Sequence, residues 1–283
     1  MWRVRLSAAF CLLGFFCASV SGKPRSAPWQ KSLSYQAEEL HSISVGQYGF
    51  PYVKVAVNGR ELDLVWDTGN LAGLLLSPKV IQGLDLSSAG EQTFYDSAGG
   101  VAGTHPIYNI VQLKVFGDTK SNERAYECQG DFNGLIGPRY VLGKRFTLDY
   151  KRKLIAVSGT PLPQKTKGLL PMIPSPRHEG LILVHGLVNG QEVLVEIDTG
   201  KSRTVVDPAL VSLLRLRKNA NGYRIQEVKL GSRKFTIPSA KEVSFEGISK
   251  QLAVPIMLGI GSDVLSKVVL TVDYSQQVVL LGR

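Results

Sequence analysis

The tripeptide Asp-Thr-Gly occurs twice, at Asp67-Thr68-Gly69 and Asp198-Thr199-Gly200, and each copy sits in a longer matching frame. Ten residues before each aspartate starts a similar run, Val57-Asn58-Gly59-Arg60-Glu61 in the first half and Val188-Asn189-Gly190-Gln191-Glu192 in the second. Downstream, Gly134-Leu135-Ile136-Gly137 is answered by Leu258-Gly259-Ile260-Gly261. Twelve residues beyond the last glycine of each run come Asp149-Tyr150 and Asp273-Tyr274. One such tripeptide arises easily by chance, but two in register over about a hundred residues imply an internal duplication. Each half then brings one carboxylate, and two similar lobes can pair them at their junction.

The first residues, Met1-Trp2-Arg3-Val4-Arg5, are basic; an apolar run from Leu6 to Phe16 follows, then small residues to Gly22. That order describes a secretory signal peptide over residues 1–22, too short in its apolar part for the roughly 20 residues a membrane span needs. The mature chain is expected in a secreted or periplasmic location, without a transmembrane span. Its cleavage would remove two of the three cysteines, leaving Cys128 without a disulfide partner. The formal net charge of +10 falls by two with Arg3 and Arg5. No basic block is interleaved with aromatics, so no nucleic-acid partner is expected.

Residues 23–41 are polar and read as a disordered lead-in, the alternative being a short pro-segment whose lysines approach the aspartates. Lobe one is expected over 42–158, a Pro- and Lys-rich connector over 159–167, and lobe two over 168–283. Short β-branched or alternating runs dominate: Tyr52–Val57, Glu61–Trp66, Ile107–Val115, Phe146–Val157, Leu181–Val188, Val193–Ile197 and Val268–Leu281. Ser77-Pro78 and Asp207-Pro208 read as helix starts, predicting short helices Pro78–Gln82 and Pro208–Leu214. The class is mainly β.

In the strand before each aspartate the alternation is in phase. Leu62, Leu64 and Trp66 match Val193, Val195 and Ile197 and should face equivalent cores. Each aspartate emerges at a strand end, a rigid mount for a reacting group. Two carboxylates brought together do not readily both ionise, because like charge raises one of them. Such a pair shares one proton. Its ionised oxygen can take a proton from water while the water attacks a carbonyl.

The two apolar-Asp-Thr-Gly segments, the later apolar-Gly loops and the closing Leu148-Asp149-Tyr150 and Val272-Asp273-Tyr274 resemble the pepsin/retropepsin superfamily of aspartic peptidases. The likeness is to a compact two-lobed, secreted bacterial form and covers nearly the whole mature chain. It implies two similar β-barrel lobes, each with one Asp-Thr-Gly loop and a short helix. It implies an aspartic endopeptidase with Asp67 and Asp198 as catalytic residues, an extended peptide or protein as substrate, and no cofactor or metal. A single chain carries both aspartates, so a monomer suffices for the site. The resemblance gives Thr68 and Thr199 the role of locking the two loops together, and has Gly69 and Gly200 present backbone N–H groups to the carboxylates.

From Asp67 to Gly137 is 70 residues, against 63 from Asp198 to Gly261. The extra length includes Gln92–Gly103, read as a hairpin similar to the family's flap, with Tyr95, Ser97, Gly99 and Gly100 as flap and substrate-binding residues. The other reading is an ordinary hairpin with Tyr95 packed on the core. Where the family commonly has Ser, Thr or Ala after Asp-Thr-Gly, this chain has Asn70 and Lys201. Asn70 can still donate a hydrogen bond. The favoured reading sends Lys201 to solvent; the alternative puts its charge beside Asp198, favouring the ionised form. His41, His105, His178 and His185 show no ligand spacing, and Cys128 reads as a buried small hydrophobe. A catalytically silent protein that uses the cleft for binding is the alternative to the enzyme.

Overall fold

The structure is a computed structural model that describes residues 27–95, 98–175 and 179–282. The expected signal peptide, Ser97 and His178 lie outside the described residues. The protein is mainly β, with short helices. Among the described residues, no helix is long and apolar enough to cross a membrane.

The repeated Val-Asn-Gly run is a hairpin turn. Strands Pro51–Val57 and Arg60–Trp66 pair antiparallel around Asn58-Gly59, and strands Leu183–Val188 and Gln191–Ile197 around Asn189-Gly190. All four turn residues have positive φ, at 48° and 83° in the first turn and 47° and 88° in the second. That conformation is what a two-residue hairpin loop requires and what Asn-Gly tolerates. The asparagine side chains do more: Asn58 accepts from the Gln112 N–H at 3.0 Å, and Asn189 from Gln226 and Glu227 at 3.1 and 3.0 Å. Each turn is thereby tied to a neighbouring strand.

From these hairpins two barrels are built on one scheme. In the first, Arg60–Trp66 runs parallel to Gly134–Ile136, which pairs with Leu74–Leu76, then Asp118–Glu127, then Val101–Val115, and this last returns to Pro51–Val57. In the second, Gln191–Ile197 runs parallel to Ile256–Ile260, followed by Val205–Val206, Arg233–Glu242 and Gly222–Leu230, which returns to Leu183–Val188. Leu62, Leu64 and Trp66, with Val193, Val195 and Ile197, are all buried in the shared core, as their alternation requires. The expected helices form at Pro78–Gly83 and Pro208–Leu214. Asp207 caps its helix by accepting from the Ala209 N–H at 2.8 Å, whereas Ser77 makes no side-chain cap.

The two closing runs do not stay in their barrels and do not stay continuous. Phe146–Val157 splits into strands Arg145–Asp149 and Leu154–Ser158; Val268–Leu281 splits into Val269–Asp273 and Val278–Gly282. The cause is the repeated aspartate. Asp149 accepts from the Arg152 N–H at 2.9 Å and Asp273 from the Gln276 N–H at 3.0 Å, each closing a turn. Arg145–Asp149 and Val269–Asp273 then pair with each other, with Thr147 opposite Thr271 and their hydroxyls 2.7 Å apart. This six-stranded sheet joins the two halves.

One face of that sheet, with Phe146, Leu148, Leu270 and Val272, closes the main core. The other corrects the expectation of a disordered lead-in or of a pro-segment reaching the aspartates. Residues 27–40 pack there, with Trp29, Leu33 and Tyr35 buried against Leu154, Ala156 and Val269. Trp29 donates its indole N–H to Asp149 at 2.7 Å. The buried Arg145 guanidinium donates to the carbonyls of Leu33 and Ser34 and lies 4.0 Å from the Tyr35 ring centre. The two carbonyls and the ring offset part of the cost of burying the cation, whose Nε makes no hydrogen bond, so this segment and Arg145 hold each other. The connector is also anchored, since Leu162 is buried and its N–H reaches Asp273 at 2.7 Å.

Candidate active site

Trp66 and Ile197 end the two inner strands with their side chains buried in the core, and the chain then leaves each barrel as an Asp-Thr-Gly loop. Asp67 N–H bonds the Ile136 carbonyl and Asp198 N–H the Ile260 carbonyl, both at 3.0 Å. The glycine-rich runs found in the sequence pass directly against these loops. A Cβ on Gly137 would collide with the carbonyl oxygen of Asn70, and one on Gly261 would lie 2.6 Å from that of Lys201. Glycine is needed at both positions for close approach rather than for a turn.

The loops are locked by a reciprocal set of bonds. Thr68 N–H donates to Thr199 Oγ1 and Thr199 N–H to Thr68 Oγ1, each at 3.0 Å. Thr68 Oγ1 donates onward to the Ile197 carbonyl at 3.1 Å, and Thr199 Oγ1 to the Trp66 carbonyl at 2.6 Å. Both threonines are fully buried. Gly69 N–H donates to Asp67 Oδ1 at 2.9 Å and Gly200 N–H to Asp198 Oδ1 at 2.8 Å. Each glycine also lies against the opposite aspartate: a Cβ on Gly69 would sit 2.5 Å from Asp198 Oδ2, and one on Gly200 would overlap the Asp67 carboxylate. The structure thus brings together Asp67, Thr68, Gly69, Asp198, Thr199 and Gly200.

The carboxyl groups of Asp67 and Asp198 lie close enough for a proton to bridge them. Burial, then the charge of Asp198 and the bond to it, hold the Asp67 carboxyl well above the usual carboxylate range. The Gly69 N–H and Lys201 oppose this without cancelling it. A proton therefore stays with the pair at pH values where an ordinary aspartate has lost its own.

Lys201 does not face solvent. Its ammonium donates to Asp198 Oδ2 and, at 2.8 Å, to Glu196 Oε2. The reason lies two residues before Asp198: Glu196 is only 4 % exposed, and a buried carboxylate recruits a cation. Burial pulls the Lys201 ammonium down, but the two carboxylates outweigh it and hold it above its ordinary value. Burial raises Glu196, with Lys201 opposing. Phe245, buried, places its ring centre 5.8 Å from the ammonium. Asn70 stays within its own loop, donating to the Gly73 carbonyl and accepting from the Ala72 N–H, both at 3.1 Å.

The strand Ser88–Tyr95 pairs with Val101–Val115 as the expected hairpin. Tyr95 is 61 % exposed, which removes the reading of a core-packed tyrosine. Gly99, with φ of 89°, lies against Gly247 at the start of helix Glu246–Leu252, in the second half of the molecule. A Cβ on Gly247 would overlap the backbone of Ala98 and Gly99. Gly100 is exposed next to this contact. Cys128 is buried, and burial followed by the charge of Glu127 pushes its thiol up to about 12. Among the described residues, no group of three or more His, Cys, Asp or Glu side chains is placed to hold a metal ion.

Sequence reasoning missed Glu196, Phe245 and Gly247. A glutamate between inward-facing residues of a strand reads as solvated, yet its counterpart in the first half is the apolar Val65, and that difference was visible. Phe245 and Gly247 lie outside the matching sequence runs and carried no signal. The chain matches no protein-family model and no curated protein sequence.

Proposed function

We propose that the chain is an aspartic endopeptidase of the pepsin/retropepsin kind, its two halves being duplicated lobes and Asp67 and Asp198 its catalytic pair. The observation that carries this reading is the reciprocal Thr68–Thr199 bonding, which puts two strand-end carboxyl groups in contact between two barrels. Such rigid mutual support is what a reacting pair needs and what two loop-capping aspartates would not. The pair holds one proton. Its ionised member takes a proton from a bound water, the water oxygen attacks a peptide carbonyl carbon, and the protonated member gives its proton to the carbonyl oxygen. On collapse of the gem-diol the amide nitrogen receives a proton, the C–N bond breaks, and the pair regains its starting state.

The substrate is an extended segment of a peptide or protein, laid in the cleft between the barrels under the Ser88–Tyr95 hairpin. Main-chain bonds would supply affinity and side-chain pockets preference. Closure of the hairpin onto Gly247 would exclude water and hold the segment. The protein acts outside the cytoplasm, after removal of residues 1–22. A second reading, a silent binding protein of the same fold, draws on Lys201, which occupies an oxygen of Asp198.

Incubation of the mature chain with an unfolded protein and a diverse peptide pool from about pH 3 to 8 separates the readings. The peptidase cleaves, and Asp67→Asn and Asp198→Asn variants lose about 10⁴-fold in rate, the upper range for a positioned acid–base group. A folded wild type that never cleaves, or variants that cleave as fast as it does, overturns the reading.

A further inference from the structure

The two aspartates sit in unequal surroundings, and the inequality is built from three coordinated differences between the halves. On the strand, Val65 in the first half corresponds to Glu196 in the second. On the parallel neighbour, Val65 is in register with Leu135, and Glu196 with Gly259. After the tripeptide, Asn70 corresponds to Lys201. Gly259 makes the space: a Cβ there would lie 3.2 Å from Glu196 Oε2 and 3.0 Å from the Phe245 ring. Phe245 covers that space and is itself held by Asp207, which accepts its N–H at 2.8 Å. The ion pair is therefore housed, not adventitious.

We propose that Glu196 and Lys201 form a positioning clamp that divides the labour of the pair, fixing Asp198 as the carboxylate that takes the proton from water and Asp67 as the member that carries the shared proton. This rests on the peptidase reading. The Lys201 ammonium donates to Asp198 Oδ2 and makes no bond to Asp67, so the cation faces one member of the pair. Glu196 pins the ammonium and offsets part of its charge, which keeps a proton on Asp67 rather than stripping the pair of both. In the reaction Asp198 gains the water proton as the new C–O bond forms, and Asp67 protonates the carbonyl oxygen. On collapse Asp198 passes its proton to the leaving nitrogen, and a gem-diol hydroxyl returns one to Asp67 as the carbonyl reforms. The titratable groups facing Lys201 are Glu196, Asp198 and, across the loop junction, Asp67. Tyr150, in the turn that follows strand Arg145–Asp149, stays neutral by burial with its hydroxyl 3.2 Å from Ser262.

The test follows the Asp67 carboxyl carbon by ¹³C NMR titration in the full mature chain, with the signal assigned by its loss in Asp67→Asn. This needs no turnover, so failure of the peptidase reading shows separately in the cleavage assay. Lys201→Met removes a positive charge and raises the Asp67 midpoint by about one pH unit or more; Glu196→Gln removes a negative charge and lowers it. The double variant returns toward wild type. Where cleavage is measurable, the pH–rate profile moves in the same directions. A merely structural pair would lower melting temperature and leave the midpoints in place, and that result overturns the proposal. Should Lys201→Met not fold, the isosteric Glu196→Gln decides alone, an unchanged or raised midpoint being contradictory.

Discussion

The first and second halves share a scaffold but not an environment. Both mount an aspartate at the end of a hairpin strand, lock it with a threonine and back it with a glycine-rich run. Around Asp67 the neighbours are the apolar Val65 and Leu135 and an Asn70 that bonds within its own loop; around Asp198, Gly259 makes room for Glu196 and Lys201, a buried ion pair wired to the carboxylate. The matching hairpins and threonine lock make the geometry symmetric, and differences at three corresponding positions make the electrostatics asymmetric. Placing a carboxylate and tuning it are thus separable properties of one fold.

The largest expected effect comes from forcing the second environment onto the first. Val65→Glu with Asn70→Lys puts an ion pair where Leu135 leaves no Gly259-like space, and costs about 3–5 kcal/mol, the penalty of a poorly housed buried charge. Chemical denaturation reads this; a graft as stable as wild type would mean that Gly259 is not what admits the pair. The shared lock comes next. Thr68→Ala and Thr199→Ala each leave a buried N–H and a buried carbonyl unsatisfied, at roughly 1–3 kcal/mol. Because the bonds are reciprocal, the two losses should agree within error, and a clear inequality would show that the lock is not symmetric. The smallest is Gly247→Ala. Its Cβ would push back the hairpin tip at Ala98 and Gly99, raising KM several-fold in the cleavage assay with little change in kcat or stability.

What the sequence made legible was whatever is local or repeated. Asn58-Gly59 and Asn189-Gly190 announced their turns, Asp207-Pro208 its helix, and the in-phase alternation before each aspartate its core face. Strands Gly222–Leu230 and Arg233–Glu242 were hidden because register shifts near Ile225 break the alternation that would have marked them. Asp118–Glu127 was hidden because it is an almost wholly polar strand. Trp29, Leu33 and Tyr35 follow no period, and only the sheet they cover gives them a place. Glu196 and Lys201 are five residues apart on a strand and a loop, a spacing that no helix or strand rule pairs. Lys201 stood out against Asn70 after the tripeptide, and comparing the strands position by position would have flagged Glu196 too, since its counterpart is Val65.

On the peptidase reading, Asp67 and Asp198 hold one proton between them in the folded protein. A group whose carboxyl is raised on folding contributes stability below its unfolded pKa and loses it as pH rises through the folded value. Melting temperature against pH, for wild type and Asp67→Asn, isolates that contribution from the other carboxyl groups. The account predicts that above the ordinary carboxylate range the wild type melts below the variant. The gap should close as the pH drops below about 4. Two curves that stay parallel across the whole range would mean that Asp67 titrates like any surface aspartate, and the shared-proton pair would be refuted.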